Sequence, residues 1–112
     1  MAEKRDSKRH RKRFCVKFGI DVDRRISFTE DISPEGLFIQ TSHTLDPGAL
    51  VQIDLILRDD SLVALEGLVM WAKRVPGGFP ARLVKGGMGV RITRITQGAE
   101  PYKRLCEELA NR

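Results

Sequence analysis

Two groups of residues in this chain have types and spacings suited to holding a ligand that carries phosphates and nucleobases. Asp31 and Ser33 lie two apart at the start of Asp31-Ile-Ser-Pro-Glu-Gly36. In an extended segment that spacing points both side chains to one face. A carboxylate beside a hydroxyl, held rigidly, receives a flat ligand edge rich in N–H donors; guanine, with N1–H next to its exocyclic amine, has such an edge. Ser33-Pro-Glu-Gly36 has the residues a type I turn prefers, with Pro34 presetting its own φ and Gly36 able to take an angle costly to other residues. The bland alternative is that Asp31 and Ser33 only satisfy backbone groups of the turn. The second group is Arg9-His-Arg-Lys-Arg13, with two arginines four apart, and Arg5-Asp-Ser-Lys-Arg9 repeats the spacing one step earlier. A guanidinium fork holds a phosphate bidentately, and its plane stacks on a base. Taken alone, these arginines read as a basic tail attracted to any polyanion.

The charge distribution sets the arginines apart from the rest. Residues 1–13 hold seven of the 20 basic and two of the 15 acidic residues, which accounts for the whole net charge of +5. This is a basic arm on a neutral body. The arm, 1–13, has no apolar residue between Ala2 and its end, cannot bury itself, and is expected to be flexible when alone. At 112 residues the chain has room for one domain with a single modest core, over 14–112. The longest unbroken apolar run, Leu68 to Ala72, is far too short to span a bilayer. No apolar segment follows the basic start, so a secretory signal is not expected, and the isolated Cys15 and Cys106 fit reduced, structural thiols in the cytoplasm. His10 and His43 lack partners at metal-ligand spacing, so no metal is expected.

The segments that must position these residues read as short strands. Phe14, Val16, Phe18 and Ile20 alternate with polar or small residues, the period-two pattern of a half-buried strand. Asp21 to Asp23 reads as a hairpin connection, and Arg24 to Thr29 as a second strand. The Asp31–Gly36 turn and a third strand, Leu37 to Thr41, follow. Leu45-Asp-Pro-Gly48 is another turn. Val51, Ile53, Leu55 and Leu57 mark a fourth strand, and Leu62 to Val75 a long fifth, where Gly67 predicts a bend or bulge of the kind a closing barrel needs. Pro76 to Pro80 reads as a loop, Arg82 to Lys85 is left between a weakly paired segment and loop, and Gly86-Gly-Met-Gly89 leads to a last strand, Val90 to Thr93. Only the tail is helical, over about 100–110: Pro101 suits a first helical position, and Tyr102, Leu105, Cys106 and Leu109 share one face. The fold class is therefore mainly β, a small six-stranded antiparallel barrel with a C-terminal helix.

RxxxR before the first strand, followed by DxSxxG at the end of the second, resembles the PilZ domain family of cyclic di-GMP receptors. The likeness runs on through Leu37 to Thr41, Gly67 to Trp71, Gly87-Met-Gly-Val-Arg91 and the closing helix. The resemblance implies a non-enzymatic, cytoplasmic second-messenger receptor whose arm wraps over cyclic di-GMP on the barrel face and which regulates a partner protein. Carried over residue by residue, Arg9 and Arg13 contact phosphates and stack on guanine, Asp31 and Ser33 bind a guanine edge, and Gly36 keeps the turn. Arg9/Arg13 is preferred to Arg5/Arg9 because Arg13 directly precedes the strand. Lys8 stands where the family's pattern influences whether one dinucleotide or a stacked pair binds. Trp71 is a second-rank candidate for packing beside a base, with a core aromatic as the alternative. Gly89 is assigned to close backbone approach. The ligand is the only small molecule implied, without cofactor, and a monomer or weak dimer is expected. Two rivals remain: a ligand-independent PilZ-like adaptor, and a nucleic-acid module using the arm, against which stand the neutral body and 6% aromatic content. No nucleophile elbow, phosphate-cradling GxxxxGK[ST] or HExxH supports an enzyme.

Overall fold

A computed structural model describes residues 10–11, 13–20, 24–74 and 86–110. The strands follow the apolar alternation. In β2 (Cys15–Gly19) Val16 and Phe18 turn inward while Lys17 faces out. In β5 (Leu50–Ile56) Val51, Ile53 and Leu55 are fully buried between exposed or half-buried neighbours. β3 (Arg25–Ile32), β4 (Gly36–Gln40), β6 (Leu62–Lys73) and β7 (Gly87–Gln97) complete the wall. Neighbours run β3, β2, β5, β6, β7, β4, and β4 pairs back onto β3, so six antiparallel strands close into a barrel. Closure removes free sheet edges and lets the inward side chains of every strand form one core. The expected fold class is the one observed.

Four local differences from the sequence reading have physical causes. First, a two-residue strand, β1 (His10–Arg11), pairs with the end of β3, His10 opposite Ile32 and Arg11 opposite Asp31. Two residues carry no alternation to detect. Second, β3 continues through Asp31 and Ile32, so Asp31 is a strand residue and the hairpin loop is only Ser33 to Gly36. Third, β7 runs from Gly87 to Gln97, well beyond Val90–Thr93, because glycines at its start and Arg91, Thr93 and Arg94 on its outer side hide the pattern. Fourth, the helix α1 (Ala99–Ala110) begins two residues before Pro101, which occupies the first turn, where backbone N–H groups lack helical partners anyway. Gly98 leads into it with a left-handed φ of 83°.

Gly67 behaves as expected: the pairing of β6 with β7 shifts register between Glu66 and Gly67. The Leu45–Gly48 turn lies one residue later, as Asp46 to Ala49, closed by Ala49 N–H on the Asp46 carbonyl at 3.0 Å, with Gly48 at φ 96°. The hairpin at Asp21–Asp23, the end of the fifth strand at Val75, the loop Pro76–Pro80 and the segment Arg82–Lys85 lie outside the described residues.

Helix α1 closes the barrel at the end where the Ser33–Gly36 hairpin and the Leu57–Ser61 connection meet, burying Tyr102, Cys106 and Leu109. Burial of a large apolar side chain such as Leu109 contributes about 1.5–3 kcal/mol, so this face is what docks the helix on the barrel.

Candidate functional site

The site is built around the β3–β4 hairpin. Ser33 N–H donates to the Gly36 carbonyl at 2.8 Å, and Gly36 N–H donates to Ser33 Oγ at 3.2 Å. The hydroxyl also lies 3.2 Å from the Gly36 carbonyl and 3.3 Å from Glu35 Oε1. Ser33 therefore closes its own turn, which is the bland role, through long contacts that a better partner can replace. Its carbonyl accepts from Tyr102 OH at 2.6 Å. Gly36 serves a different purpose from the expected one. It does not use a left-handed angle. Instead a Cβ there would run into the Val90 carbonyl of β7, so the absence of a side chain lets β4 and β7 approach.

Across the strands the outer face carries a continuous row: Asp31 on β3 pairs with Phe38 on β4, Phe38 with Gly89 on β7, and Gly89 with Trp71 on β6. A register shift between Thr29 and Asp31 inserts Glu30 as a bulge and sets Asp31 outward while Ile32 stays buried. Trp71 is half exposed and stacks on Phe38, ring centroids 5.3 Å apart at 20°. It is not a core aromatic. Gly89 has no side chain because the Trp71 indole lies across it. The expected close approach at Gly89 is thus made to a ring rather than to backbone.

These residues line one open groove of about 330 Å³, with Asp31, Ser33 and Gly36 at one side and Trp71 and Gly89 at the other. Sequence reasoning missed Glu35, Phe38, Met70 and Arg91, which line it too. Phe38 lies outside between buried Leu37 and Ile39, and its position opposite Asp31 depends on hairpin register, which residue types alone do not show. The groove therefore offers acceptors (Asp31, Ser33, Glu35), an aromatic platform (Phe38, Trp71) and one guanidinium (Arg91). Chemically, such a set can accept N–H donors, stack on a planar ring and pair with an anion.

Of the arginine pairs, Arg5 and Arg9, with Lys8, lie outside the described residues. Arg13 is exposed, its guanidinium 4.8 Å from the Phe28 ring centroid, and neither residue lines the groove. The backbone behind Arg13 is pinned. Thr29, fully buried, donates its N–H to the Phe14 carbonyl at 2.9 Å, and its Oγ1 accepts the Phe14 N–H at 2.9 Å. Between Arg11 of β1, opposite Asp31, and Cys15 of β2, opposite Phe28, the chain advances four positions against three on β3. Arg13 thus sits on an irregular step beside the groove's β3 wall, the kind of place where a bulge re-aims a side chain.

Among the described residues no group of three or more His, Cys, Asp or Glu is placed to hold a metal. No helix among them is long and apolar enough to cross a membrane.

A closed six-stranded barrel with a capping helix and an acceptor-and-aromatic groove on its outer wall defines a small β-barrel binding module. Residues 3–108 match the model of the PilZ domain family, so the chain belongs to that family. PilZ domains are non-enzymatic receptor and adaptor domains, and the family's small molecule, cyclic di-GMP, is a ligand and not a cofactor. Curated proteins include no match. Among solved structures, the inhibitor of motility of Bacillus subtilis (MotI/DgrA) is similar at 15% identity and a TM-score of 0.72, over 93% of this chain and 48% of that one. The chain spans about half of that protein's length, and the likeness is one of fold.

Proposed function

We propose that this domain is a receptor for cyclic di-GMP and passes ligand binding on to a partner protein. The observation that carries the reading is the convergence of Asp31, Ser33, Gly36, Trp71 and Gly89 on a single groove. Asp31 and Ser33, with Glu35 beside them, accept the N–H donors of one guanine edge. Trp71, backed by Phe38, stacks on a base. Arg9 and Arg13 hold the phosphates. At about 330 Å³ the groove is near the lower end of small-molecule sites, which run to about 1,000 Å³. The dinucleotide therefore extends beyond it, and the basic arm covers what the groove leaves open.

The energetics are compatible. Fixing Arg9 to Arg13 from a fully free state costs at most roughly 5–10 kcal/mol at ~1–2 per residue, and less here because His10 and Arg11 already pair with β3. Each hydrogen bond to a charged group returns about 1.5–3 kcal/mol, a cation–π stack about 0.5–2. Micromolar affinity, about −8 kcal/mol, then needs several charge-assisted bonds formed together on a preformed groove. Binding shifts the arm toward its ordered state only because that state holds the ligand better. The ordered arm gives the partner a new surface.

Calorimetric titration with cyclic di-GMP, with GTP as control, tests this. The parent is expected to bind saturably and Arg13→Ala to bind too weakly to measure. Arg13 is the cleaner probe, since it is exposed whereas Ser33 also closes the hairpin. Equal binding by parent and Arg13→Ala would remove the arm from the site.

A further inference from the structure

The hairpin that presents Ser33 is a thin wall. On one side lies the groove just described. On the other lies a larger, mainly apolar cavity of about 600 Å³ between the hairpin and helix α1, lined by Pro34, Glu35, Tyr102, Lys103 and Cys106 among others. Ile32, Ser33 and Glu35 face both spaces. Two long-range contacts hold the hairpin between these spaces: Ile92 N–H of β7 donates to the Glu35 carbonyl at 2.8 Å, and a second contact comes from the helix. Tyr102 OH donates to the Ser33 carbonyl at 2.6 Å across a separation of 69 residues.

That carbonyl is one that no backbone N–H of the hairpin is shown to reach. In a fully bonded pair Gly36 N–H would reach it, but here Gly36 N–H goes to Ser33 Oγ instead. Tyr102, the chain's single tyrosine, supplies the missing donor. Its ring is 2% exposed and shares the buried face of α1 with Cys106 and Leu109, so the helix cannot rotate or lift without moving the phenol. Burial first, and the neighbouring Cys106 next, raise the phenol's pKa well above its ordinary value, which favours the protonated, donating form.

Resting on the receptor reading above, we infer that Tyr102 is a positioning residue for the ligand groove and that docking of helix α1 and occupancy of the groove are thermodynamically linked through the Ser33 carbonyl. The docked helix holds the hairpin in the shape that receives the base. By reciprocity, ligand holding the hairpin stabilises the docked helix. The C-terminal helix is then a second output of binding, at the barrel end and distinct from the N-terminal arm.

The test is Tyr102→Phe in the full chain, which keeps the ring and removes only the hydroxyl. A net intramolecular hydrogen bond corresponds to roughly two- to tenfold in an equilibrium, and a loss of cyclic di-GMP affinity of that size is expected. Affinity loss alone would also follow from general loosening, so amide exchange supplies the second readout. In the parent, amides of Ala99–Ala110 that exchange faster than those of the core strand Leu50–Ile56 open without global unfolding, and saturating cyclic di-GMP should slow them. In Tyr102→Phe ligand should leave the rates of these helix amides unchanged. Should the variant fail to fold, the parent's helix response decides alone. The inference is overturned if Tyr102→Phe binds like the parent, or if ligand leaves the locally opening helix amides of the parent unchanged. A parent that binds normally with an indifferent helix sinks this inference and leaves the receptor reading standing; a parent that does not bind sinks both.

Discussion

The two halves of the barrel wall are built differently. Along β3–β2, β2–β5 and β5–β6 the pairing runs without a register shift. There Val16, Phe18, Val51, Ile53, Leu55 and Val63 point inward by strict alternation, each 1% exposed or less. Along β3–β4 there is one shift, and along β6–β7 there are three, between Ala64 and Leu65, Glu66 and Gly67, and Val69 and Trp71. The same half has four strand glycines, Gly36, Gly67, Gly87 and Gly89, at each of which a Cβ would collide with a neighbour. The groove lies entirely on this irregular half. Both halves feed the core, since Ile39, Val69 and Met88 are buried like Val16 and Ile53, and β4–β7 also pairs without a shift. Only the irregular half, however, bends to bring Asp31, Phe38 and Trp71 onto one outer surface. Departures from sheet regularity of this kind collect where a protein re-aims side chains for use.

If that division is correct, substitutions in the two halves should separate stability from binding. The largest effect on stability is expected from Ile53→Ala in the regular half, about 2–5 kcal/mol by urea unfolding, with the affinity of the folded fraction for cyclic di-GMP unchanged. Loss of affinity there at constant fold would erase the distinction. Gly89→Ala is expected to cost about 1–3 kcal/mol by overpacking, and also to weaken binding, because the new methyl displaces the Trp71 ring. Trp71→Ala should cost least in stability, about 0.5–1.5 kcal/mol for its stack on Phe38, while calorimetry shows weaker binding. A Trp71→Ala variant that binds like the parent would remove the aromatic platform from the site.

A pH series probes the link between the hairpin and its helix. Tyr102 and Cys106 are acids whose folded-state pKa values are raised, by burial first in each case. The unfolded chain releases these protons near 9.0 and 10.0, while the fold retains them. Stability is therefore full below that range and falls as pH rises through it. Urea midpoints at about pH 8 and about pH 10.5 should show the decline, and Tyr102→Phe should flatten it. A parent with equal midpoints at both values would contradict the buried phenol.

Legibility in the sequence follows the same division. β2 and β5 could be read from residue types because alternation survives wherever a strand has one wet and one dry face. Gly67 announced its bulge because an interior glycine in a long strand has few other uses. Asp31, Ser33 and Gly36 were legible as a motif, yet the purpose of Gly36 was not: the clash it avoids is with Val90, 54 positions away in sequence. Gly87 and Gly89 concealed the start of β7 for the same reason, since their value is to Phe38 and Trp71 on other strands. Phe38 and Glu35 joined the groove through hairpin register, and Tyr102 reached Ser33 through the docking of a helix. Sequence patterns report a residue's own strand and face. They do not report which residues of other strands come to lie beside it.

The most direct measurement is a cyclic di-GMP titration followed by backbone amide chemical shifts. Saturable shifts at Asp31–Gly36, Phe38, Trp71 and Gly89, with Leu50–Ile56 unmoved, are the expected result. No saturable shifts in the hairpin, or shifts centred on β5, would contradict the assignment of the groove.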